Sequence, residues 1–290
     1  MSCNNVQSSY DLPAQGAAAQ ALKLFQFGSG EQHVQVLKQS AARVQIRYRY
    51  TGDASIMQLL LLTDALKRQG ASEIDLLIPY FPGARQDRVC NDGEALSVKV
   101  YADLINQQRY RQVTLFDPHS DVVVALLDRA QVVKNYALIE RVLSQLGNDV
   151  LLVSPDAGAN KKVFALATHL GGLPVIRADK IRDVRNGAIV DTEVFCGDLS
   201  GKTALIVDDI CAGGRTFIEL AKKLKQKNCA RIVLAVSHFE GTANLQLLAN
   251  SGIDAVYTTN SINNLSSDDF LTIQDIWSLM PTNPCEGEQQ

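Results

Sequence analysis

The stretch Ala204-Leu-Ile-Val-Asp-Asp-Ile-Cys-Ala-Gly-Gly-Arg-Thr216 decides how this chain folds. An apolar run ends in two adjacent carboxylates, Asp208 and Asp209. Small residues and glycines follow, the turn closes on a hydroxyl, and a helical stretch runs from Phe217. The pattern predicts a strand, a tight turn and a helix N-terminus. Main-chain N–H groups bared by Gly213 and Gly214, backed by the positive end of a helix dipole, make a cradle for phosphate. Two carboxylates just before the cradle can accept hydrogen bonds from vicinal hydroxyls, so the implied ligand is a ribose phosphate. The plain alternative is a tight βα turn without a ligand, since glycine is common wherever such loops are short. Neither a Gly-x-x-x-x-Gly-Lys-Ser/Thr run nor a Gly-x-Gly-x-x-Gly after a strand occurs, which sets aside a Walker loop and a dinucleotide fingerprint.

Outward from this turn, strand-like runs alternate with helical ones. Strands are expected over Ile74–Pro79, Gln112–Phe116, Asp149–Val153, Lys202–Val207 and Arg231–Val236. Helices are expected over Ile56–Gln69, Ser97–Gln107, Ala137–Leu146, Asn160–Leu170 and Phe217–Lys227. Alternation of this kind gives an α/β protein with mainly parallel sheets flanked by helices. A chain of 290 residues, 46% of them apolar, is long enough for two such domains. The Gly147-Asn-Asp149 turn divides them, giving an N-terminal domain over 21–147, a C-terminal domain over 148–270 and a closing segment over 271–290. Residues 1–20 and the last ten are rich in Ser, Asn, Gln, Gly and Pro, a composition that predicts poorly ordered tails.

Net charge is −3 with Lys and Arg scattered, which argues against a nucleic-acid or anionic-membrane face and for small-molecule partners. No apolar run approaches the roughly 18 residues that cross a bilayer. The first 20 residues lack the plan of a secretion signal, so a cytoplasmic location is expected. Cys3, Cys90, Cys196, Cys211, Cys229 and Cys285 show no Cys-x-x-Cys pair, the pattern of a reducing compartment. Cys211 lies in the turn without an activating base in the neighbouring sequence and reads as small filler.

Ligands of open parallel sheets bind beyond the carboxyl ends of their strands. Four polar loops fall at such ends: Arg85-Gln-Asp-Arg88, Asp117-Pro-His119, Ser154-Pro-Asp-Ala-Gly158 and Asp208-Asp209. They suggest one shared cleft. His119 and Asp156 are candidate partners of a Mg²⁺ ion, which keeps several waters and needs few protein ligands when phosphates supply the rest. Asp156, Ala157 and Gly158 form a second small-residue turn into a helix, hence a second anion cradle. Lys180 and Arg182 offer cations for charge developing on a transferring phosphate. Singly, His119 reads as a structural histidine and Lys180 with Arg182 as a solvated basic face; together with the glycine turns they suit phosphoryl-type transfer. His33, His169 and His238 lack comparable neighbours.

Over about residues 22–280 the chain resembles the ribose-phosphate diphosphokinases, the phosphoribosyl diphosphate synthetases. The matching segments run in the family's order: Phe27-Gly-Ser-Gly-Glu31, Pro79-Tyr-Phe-Pro-Gly-Ala-Arg-Gln-Asp-Arg88, Asp117-Pro-His119, Val153-Ser-Pro-Asp-Ala-Gly158, Asp179-Lys-Ile-Arg182 and Val207-Asp-Asp209. The resemblance implies two phosphoribosyltransferase-like domains, ATP on the N-terminal side and the acceptor on the C-terminal side. It implies transfer of the β,γ-diphosphate of ATP, as one unit, to the anomeric hydroxyl of ribose 5-phosphate. Arg85, Gln86 and Asp87 would serve ATP, with Phe27 and Glu31 reaching the adenine from a neighbouring subunit of a homo-oligomer, dimer-based and extending to a hexamer. His119 and Asp156 would serve Mg²⁺, and Asp156, Ala157 and Gly158 the diphosphate. Lys180, Arg182 and His119 are the catalytic set; Asp208, Asp209, Ala212, Gly213, Gly214, Arg215 and Thr216 would hold the acceptor.

Three departures from the family pattern stand out. Ser29 replaces a usual Asp, and Val89-Cys-Asn-Asp-Gly-Glu94 replaces a basic loop, which weakens the case for phosphate activation or ADP inhibition. The acceptor turn, usually close to Asp-Thr-Ala-Gly-Thr, reads Ala212-Gly-Gly-Arg-Thr216. Loss of an acid and gain of a guanidinium suit an acceptor with more than one terminal phosphate, such as ADP-ribose, whose 1-diphosphate would feed NAD salvage. Drift within a ribose 5-phosphate site is the competing view. A non-catalytic relative that regulates an active synthetase is a third, disfavoured because His119, Asp156, Lys180 and Arg182 remain.

Overall fold

The computed structural model describes residues 8–13, 20–182, 189–241, 243–262 and 264–281. The chain forms two compact units, one of residues 1–134 with 276–290 and one of Asn135–Asp275. The second unit thus begins before the expected Gly147–Asp149 division, and the chain after Asp275 returns to the first unit.

In the first unit five parallel strands stand in the order β1-β4-β5-β6-β7. They are β1 (Ser8–Leu12), β4 (Arg43–Tyr48), β5 (Glu73–Leu77), β6 (Gln112–Phe116) and β7 (Ala130–Val133). A separate antiparallel hairpin pairs β2 (Leu22–Gln26) with β3 (Gln32–Val36). Helices α1 (Asp53–Arg68), α2 (Ser97–Gln107) and α3 (Asp121–Leu126) complete the unit. Ile56, Leu59, Leu62 and Leu66 bury one stripe of α1 against Val44, Ile46 and Leu76 of the sheet, the helical period meeting continuous apolar strands.

Within the first 20 residues, expected from composition to be poorly ordered, Ser8–Leu12 forms strand β1, while residues 1–7 and 14–19, like the last nine, lie outside the described residues. Tyr10 and Leu12 are buried, and each residue from Ser8 to Leu12 is in register with one from Val44 to Tyr48. Two apolar residues among polar ones give no periodic signal; the strand is held by pairing and by the ion pair of Asp11 with Arg47. The Arg47 guanidinium also lies over the Trp277 ring, 5.4 Å from its centroid, fastening the returning C-terminal segment.

The second unit is a seven-stranded sheet in the order β10-β9-β8-β11-β12-β13-β14, parallel except where β10 turns back on β9. Its strands are β8 (Val150–Ser154), β9 (Val175–Arg182), β10 (Ile189–Val194), β11 (Thr203–Cys211), β12 (Arg231–Phe239), β13 (Ala255–Thr259) and β14 (Leu271–Gln274). Helices α4 (Tyr136–Leu143), α5 (Asn160–His169), α6 (Arg215–Gln226) and α7 (Leu245–Asn250) accompany them. Phe217, Leu220, Ala221 and Leu224 of α6 pack in one cluster with Ala204, Ile206, Ile232 and Leu234. Helix α2 and strand β6 coincide with the bounds expected from sequence, and the other expected elements agree within a few residues, except β11 and β12.

Strand β11 continues through Asp208 and Asp209 to Cys211 instead of ending at Val207, and β12 continues to Phe239. The reason is that Asp208, Ile210 and Cys211 pair with Val236, His238 and Phe239 of β12, which holds as strand a stretch whose side chains alone would suggest a loop. Likewise α6 begins at Arg215, so Arg215 and Thr216 belong to the first turn of the helix. Among the described residues no helix is long and apolar enough to cross a membrane.

Candidate functional site

The opening stretch folds as strand, turn and helix. Gly214 is the N-cap of α6 with φ 76°, a left-handed conformation that glycine adopts freely. A Cβ there would lie 3.2 Å from Leu248 Cδ2 and 3.4 Å from Ala243 Cβ, so the turn is also tightly backed by the segment after β12. Gly213, by contrast, has nothing within 4 Å of a Cβ position. Its open side leaves the N–H groups at the start of α6 accessible to an anion. Arg215 is exposed and Thr216 half-buried.

Beside this turn the sheet gathers acids. Strand β8 pairs with β11 up to Val153↔Ile206, so Asp156 and Asp209 each follow three residues beyond that pair. Burial raises the Asp208 carboxyl well above its ordinary value, and the charges of Asp209 and Asp156 raise it further. The Asp209 N–H donates to Asp208 Oδ1 at 2.9 Å, and Lys162 Nζ lies 3.9 Å from Asp209 Oδ1. The N–H of Ala159 donates to Asp156 Oδ1 at 3.1 Å, which folds the Asp156-Ala157-Gly158 turn onto the start of α5. A Cβ at Gly158 would stand 3.2 Å from Asp156 Oδ1 and press on that carboxylate. Unit two therefore brings together Asp156, Asp208 and Asp209 beside both glycine turns.

Lys180 and Arg182 occupy the last turn-ward positions of β9, which pairs with β8 up to Ser154↔Arg177; their backbones continue past the end of β8. Lys180 pairs with Thr192 and Arg182 with Ile189 of β10.

In the first unit the loop after β5 carries Arg85, Gln86 and Asp87, with Arg85 and Gln86 exposed. It is anchored by Gly83, at φ 71°, where a Cβ would meet Tyr101 Cδ2 at 3.0 Å and the backbone of Ser97 and Val98 at 3.1 Å. The Gln86 N–H donates to Gly83 at 2.9 Å. The Val89–Glu94 segment closes on itself: Glu94 accepts from the N–H groups of Cys90 and Asn91 at 2.9 and 3.1 Å. Phe27 and Glu31 sit at the tip of the β2–β3 hairpin, where Phe27 is 51% exposed and edge-on to Phe25 at 5.2 Å. Ser29 donates a short hydrogen bond to Glu31. His119 follows the buried Asp117, whose φ of 41° turns the chain sharply at the end of β6.

The remaining histidines are engaged elsewhere. His33 packs on Phe25 at 4.9 Å, His169 pairs with Glu140 at 2.9 Å, and the buried His238 hydrogen-bonds Ser261 at 2.8 Å. Cys211 is buried and its thiol is pushed up to about 12 by burial, then by Asp208 and Glu240, which bears out its reading as filler rather than nucleophile. Sequence reasoning did not single out Lys162, which lies six residues past Asp156 on α5; a cation just beyond a small-residue turn was the available signal.

Sheets of this connectivity, with an acid pair running into a glycine turn at a helix start, define the phosphoribosyltransferase class of protein. Residues 125–251 match the family model described as the phosphoribosyl transferase domain, and residues 14–108 match that of the N-terminal domain of ribose phosphate pyrophosphokinase. The chain belongs to the ribose-phosphate pyrophosphokinase family. It is 30% identical over 231 residues to the ribose-phosphate pyrophosphokinase of Thermosipho africanus, covering 78% of this chain and 72% of that one. It is 36% identical over 218 residues to the protein of that name from Aquifex aeolicus, covering 72% and 67%. For that of Mycoplasma pneumoniae the identity is 34% over 216 residues, covering 72% and 65%. The crystal structure of phosphoribosylpyrophosphate synthetase from Mycobacterium smegmatis superposes with a TM-score of 0.80 at 24% identity, over 95% of this chain and 96% of that one, and shows the same fold.

Proposed function

We propose that this protein transfers the β,γ-diphosphate of ATP to the anomeric hydroxyl of a ribose 5-phosphate-type acceptor, giving AMP and phosphoribosyl diphosphate or its analogue. The observation that carries this reading is the convergence of Asp156, Asp208 and Asp209 beside the Gly213–Gly214 turn. Membership of a family whose named relatives are ribose-phosphate pyrophosphokinases supports the reaction type. In this reading the turn from Ala212 to Thr216 grips the acceptor phosphate through main-chain N–H groups, and Asp208 and Asp209 accept hydrogen bonds from its hydroxyls. Arg85, Gln86 and Asp87 bind ATP; Phe27 and Glu31 approach the adenine of a neighbouring copy. Lys180, Arg182 and His119 stabilise charge on the diphosphate as it leaves AMP, and the 156–158 turn receives it. Positioning and electrostatics then account for most of the rate, as expected for a loose phosphoryl-type transition state.

The oxygen donors fit Mg²⁺. Asn160 Oδ1, at the start of α5 next to Asp156, is buried without a hydrogen-bond partner, an orphaned acceptor of the kind a hydrated hard cation satisfies. Asp156 and His119 would hold it, and when bound it supplies neutralisation of the triphosphate charge.

A second acceptor, ADP-ribose, is favoured by one specific feature. The space over Gly213 is open and Arg215 is exposed in the first turn of α6, so a terminal diphosphate has both room and a planar cation. The test incubates the protein with ATP, Mg²⁺ and each acceptor, and resolves AMP and products by mass. AMP with ribose 5-phosphate but none with ADP-ribose removes the second reading, and AMP with neither removes both. Arg215→Gly is expected to weaken turnover of the larger acceptor selectively; equal loss with both acceptors would refute the role of Arg215.

A further inference from the structure

The loop that carries Arg85 and Gln86 is pinned around its turn. Phe81 and Ala84 are buried in the core of the first unit, and Gly83 between them takes a φ of 71°. Gly83 is pressed against α2, since a Cβ there would stand 3.0 Å from Tyr101 Cδ2 and 3.1 Å from the backbone of Ser97 and Val98. The Gln86 N–H returns to the Gly83 carbonyl at 2.9 Å, and the Val98 N–H donates to the Gln86 carbonyl at 3.4 Å. Arg85 and Gln86 are left exposed.

Tyr101 is itself held from α1. Its hydroxyl donates to Asp53 Oδ1 at 2.6 Å, and the Tyr50 hydroxyl donates to the same oxygen at 2.8 Å. The two rings meet edge-on with their centroids 6.3 Å apart. Asp53 stands on a fixed base, because it opens α1 two residues before Ser55. The Ser55 hydroxyl accepts from the Thr51 N–H at 3.1 Å, donates to the Gly52 carbonyl at 2.6 Å and lies 2.7 Å from the hydroxyl of the buried Tyr48. One carboxylate thus ties the start of α1 to the helix against which the Gly83 turn is packed. Asp53 is exposed and Tyr101 half-buried, so their bond exchanges with water at little cost to folding. What it fixes is the place of the Tyr101 ring beside the turn.

We propose that Asp53 and Tyr101 are positioning residues for the donor nucleotide: Asp53 holds the Tyr101 hydroxyl, and the Tyr101 ring holds the Gly83 turn in the conformation that presents Arg85 and Gln86. The assignment rests on the reading of that loop as the ATP side of a diphosphokinase. A loop fixed before the nucleotide arrives spares binding the cost of ordering it.

Steady-state kinetics and equilibrium binding of ATP with Mg²⁺ on the full chain test this, using whichever acceptor the unaltered protein converts. Tyr101→Phe and Asp53→Ala are each expected to raise the KM and Kd for ATP about five-fold, with kcat and the acceptor KM within about two-fold. Asp53→Asn keeps an oxygen that accepts from Tyr101, and is expected to bring the ATP KM back to within about two-fold. Tyr50→Phe removes the other bond to that oxygen without touching the Gly83 contact, and is expected to leave the ATP KM unchanged. An ATP KM within about two-fold of the unaltered protein in either Tyr101→Phe or Asp53→Ala overturns the assignment. So does an equal rise in both KM values, or a rise in Tyr50→Phe as large as in Tyr101→Phe. Where Asp53→Ala does not fold, Tyr101→Phe, which keeps the ring, decides. An unaltered protein that binds ATP but makes no AMP with either acceptor ends the diphosphokinase reading, and the Kd values then test the positioning role alone. One that binds no ATP removes both.

Discussion

Lys162 Nζ stands 3.9 Å from Asp209 Oδ1, joining the first turn of α5 to the acid pair of β11. The Asp209 side chain is only 8% exposed, against 38% for Lys162, so the carboxylate is the member that depends on the pair. Lys162→Met is expected to lower stability by about 1–2 kcal/mol, because the buried Asp209 carboxylate loses a nearby cation. Urea denaturation measures this, and an unchanged midpoint would show that Asp209 does not need Lys162.

Asp208→Asn removes a charge that burial and two acidic neighbours make costly, and keeps an oxygen for the Asp209 N–H. Its expected effect is a Tm higher by about 3 °C at pH 7.5, with turnover reduced at least about 100-fold. A melting curve and an AMP assay on the same preparation check both halves. A variant that is less stable and still active contradicts the cost assigned to this carboxyl.

Gly214→Ala and Gly83→Ala each force a side chain onto a left-handed backbone, and each meets packed neighbours. The backbone conformation alone costs about 1–2 kcal/mol. Gly83 should be the worse of the two, since its Cβ meets main-chain atoms of Ser97 and Val98 at 3.1 Å, which cannot swing aside as Leu248 can. Chemical denaturation ranks them; the opposite order would mean the loop carrying Arg85 adapts more readily than the start of α6.

Asp53 supplies a pH-dependent contribution to the first unit. Tyr101 and Tyr50 donate to Asp53 Oδ1 at 2.6 and 2.8 Å and hold its carboxyl below the ordinary 3.8, the Tyr101 bond foremost. A lowered folded value means that the stabilisation is fully present above pH 3.8 and fades as pH falls through the folded value. Asp53→Asn is therefore expected to be less stable at pH 7 by about 0.5 kcal/mol, a small figure because the site is exposed and screened. The difference should close in acid, and a pH series of urea midpoints in which it widens instead would be decisive against this account.

Much of the fold was legible because its signals are local. Helix α2 shows its period and its bounds in eleven residues, and the small residues before α5 and α6 announce tight turns into helix starts whatever their surroundings. Strand β1 was not legible, because Ser8–Leu12 becomes a strand only where β4 offers its edge. The end of β11 was misjudged for a related reason: Asp208 and Asp209 look like loop residues until Asp208, Ile210 and Cys211 pair with β12. Lys162 was passed over because it acts on a residue far away in sequence, through strand order and register.

By itself the sequence determined the α/β class, the two glycine turns and the acids beside them, since these depend on the chemistry of neighbouring residues and the bonds a short segment makes alone. Only tertiary structure decided that β8 lies beside β11 and that β12 pairs with β11 as far as Cys211, because hydrogen-bonded register is a property of two segments and is written in neither. That register brings the loop after β8, with Asp156, beside Asp208 and Asp209 of β11, and so gathers acids from segments dozens of residues apart.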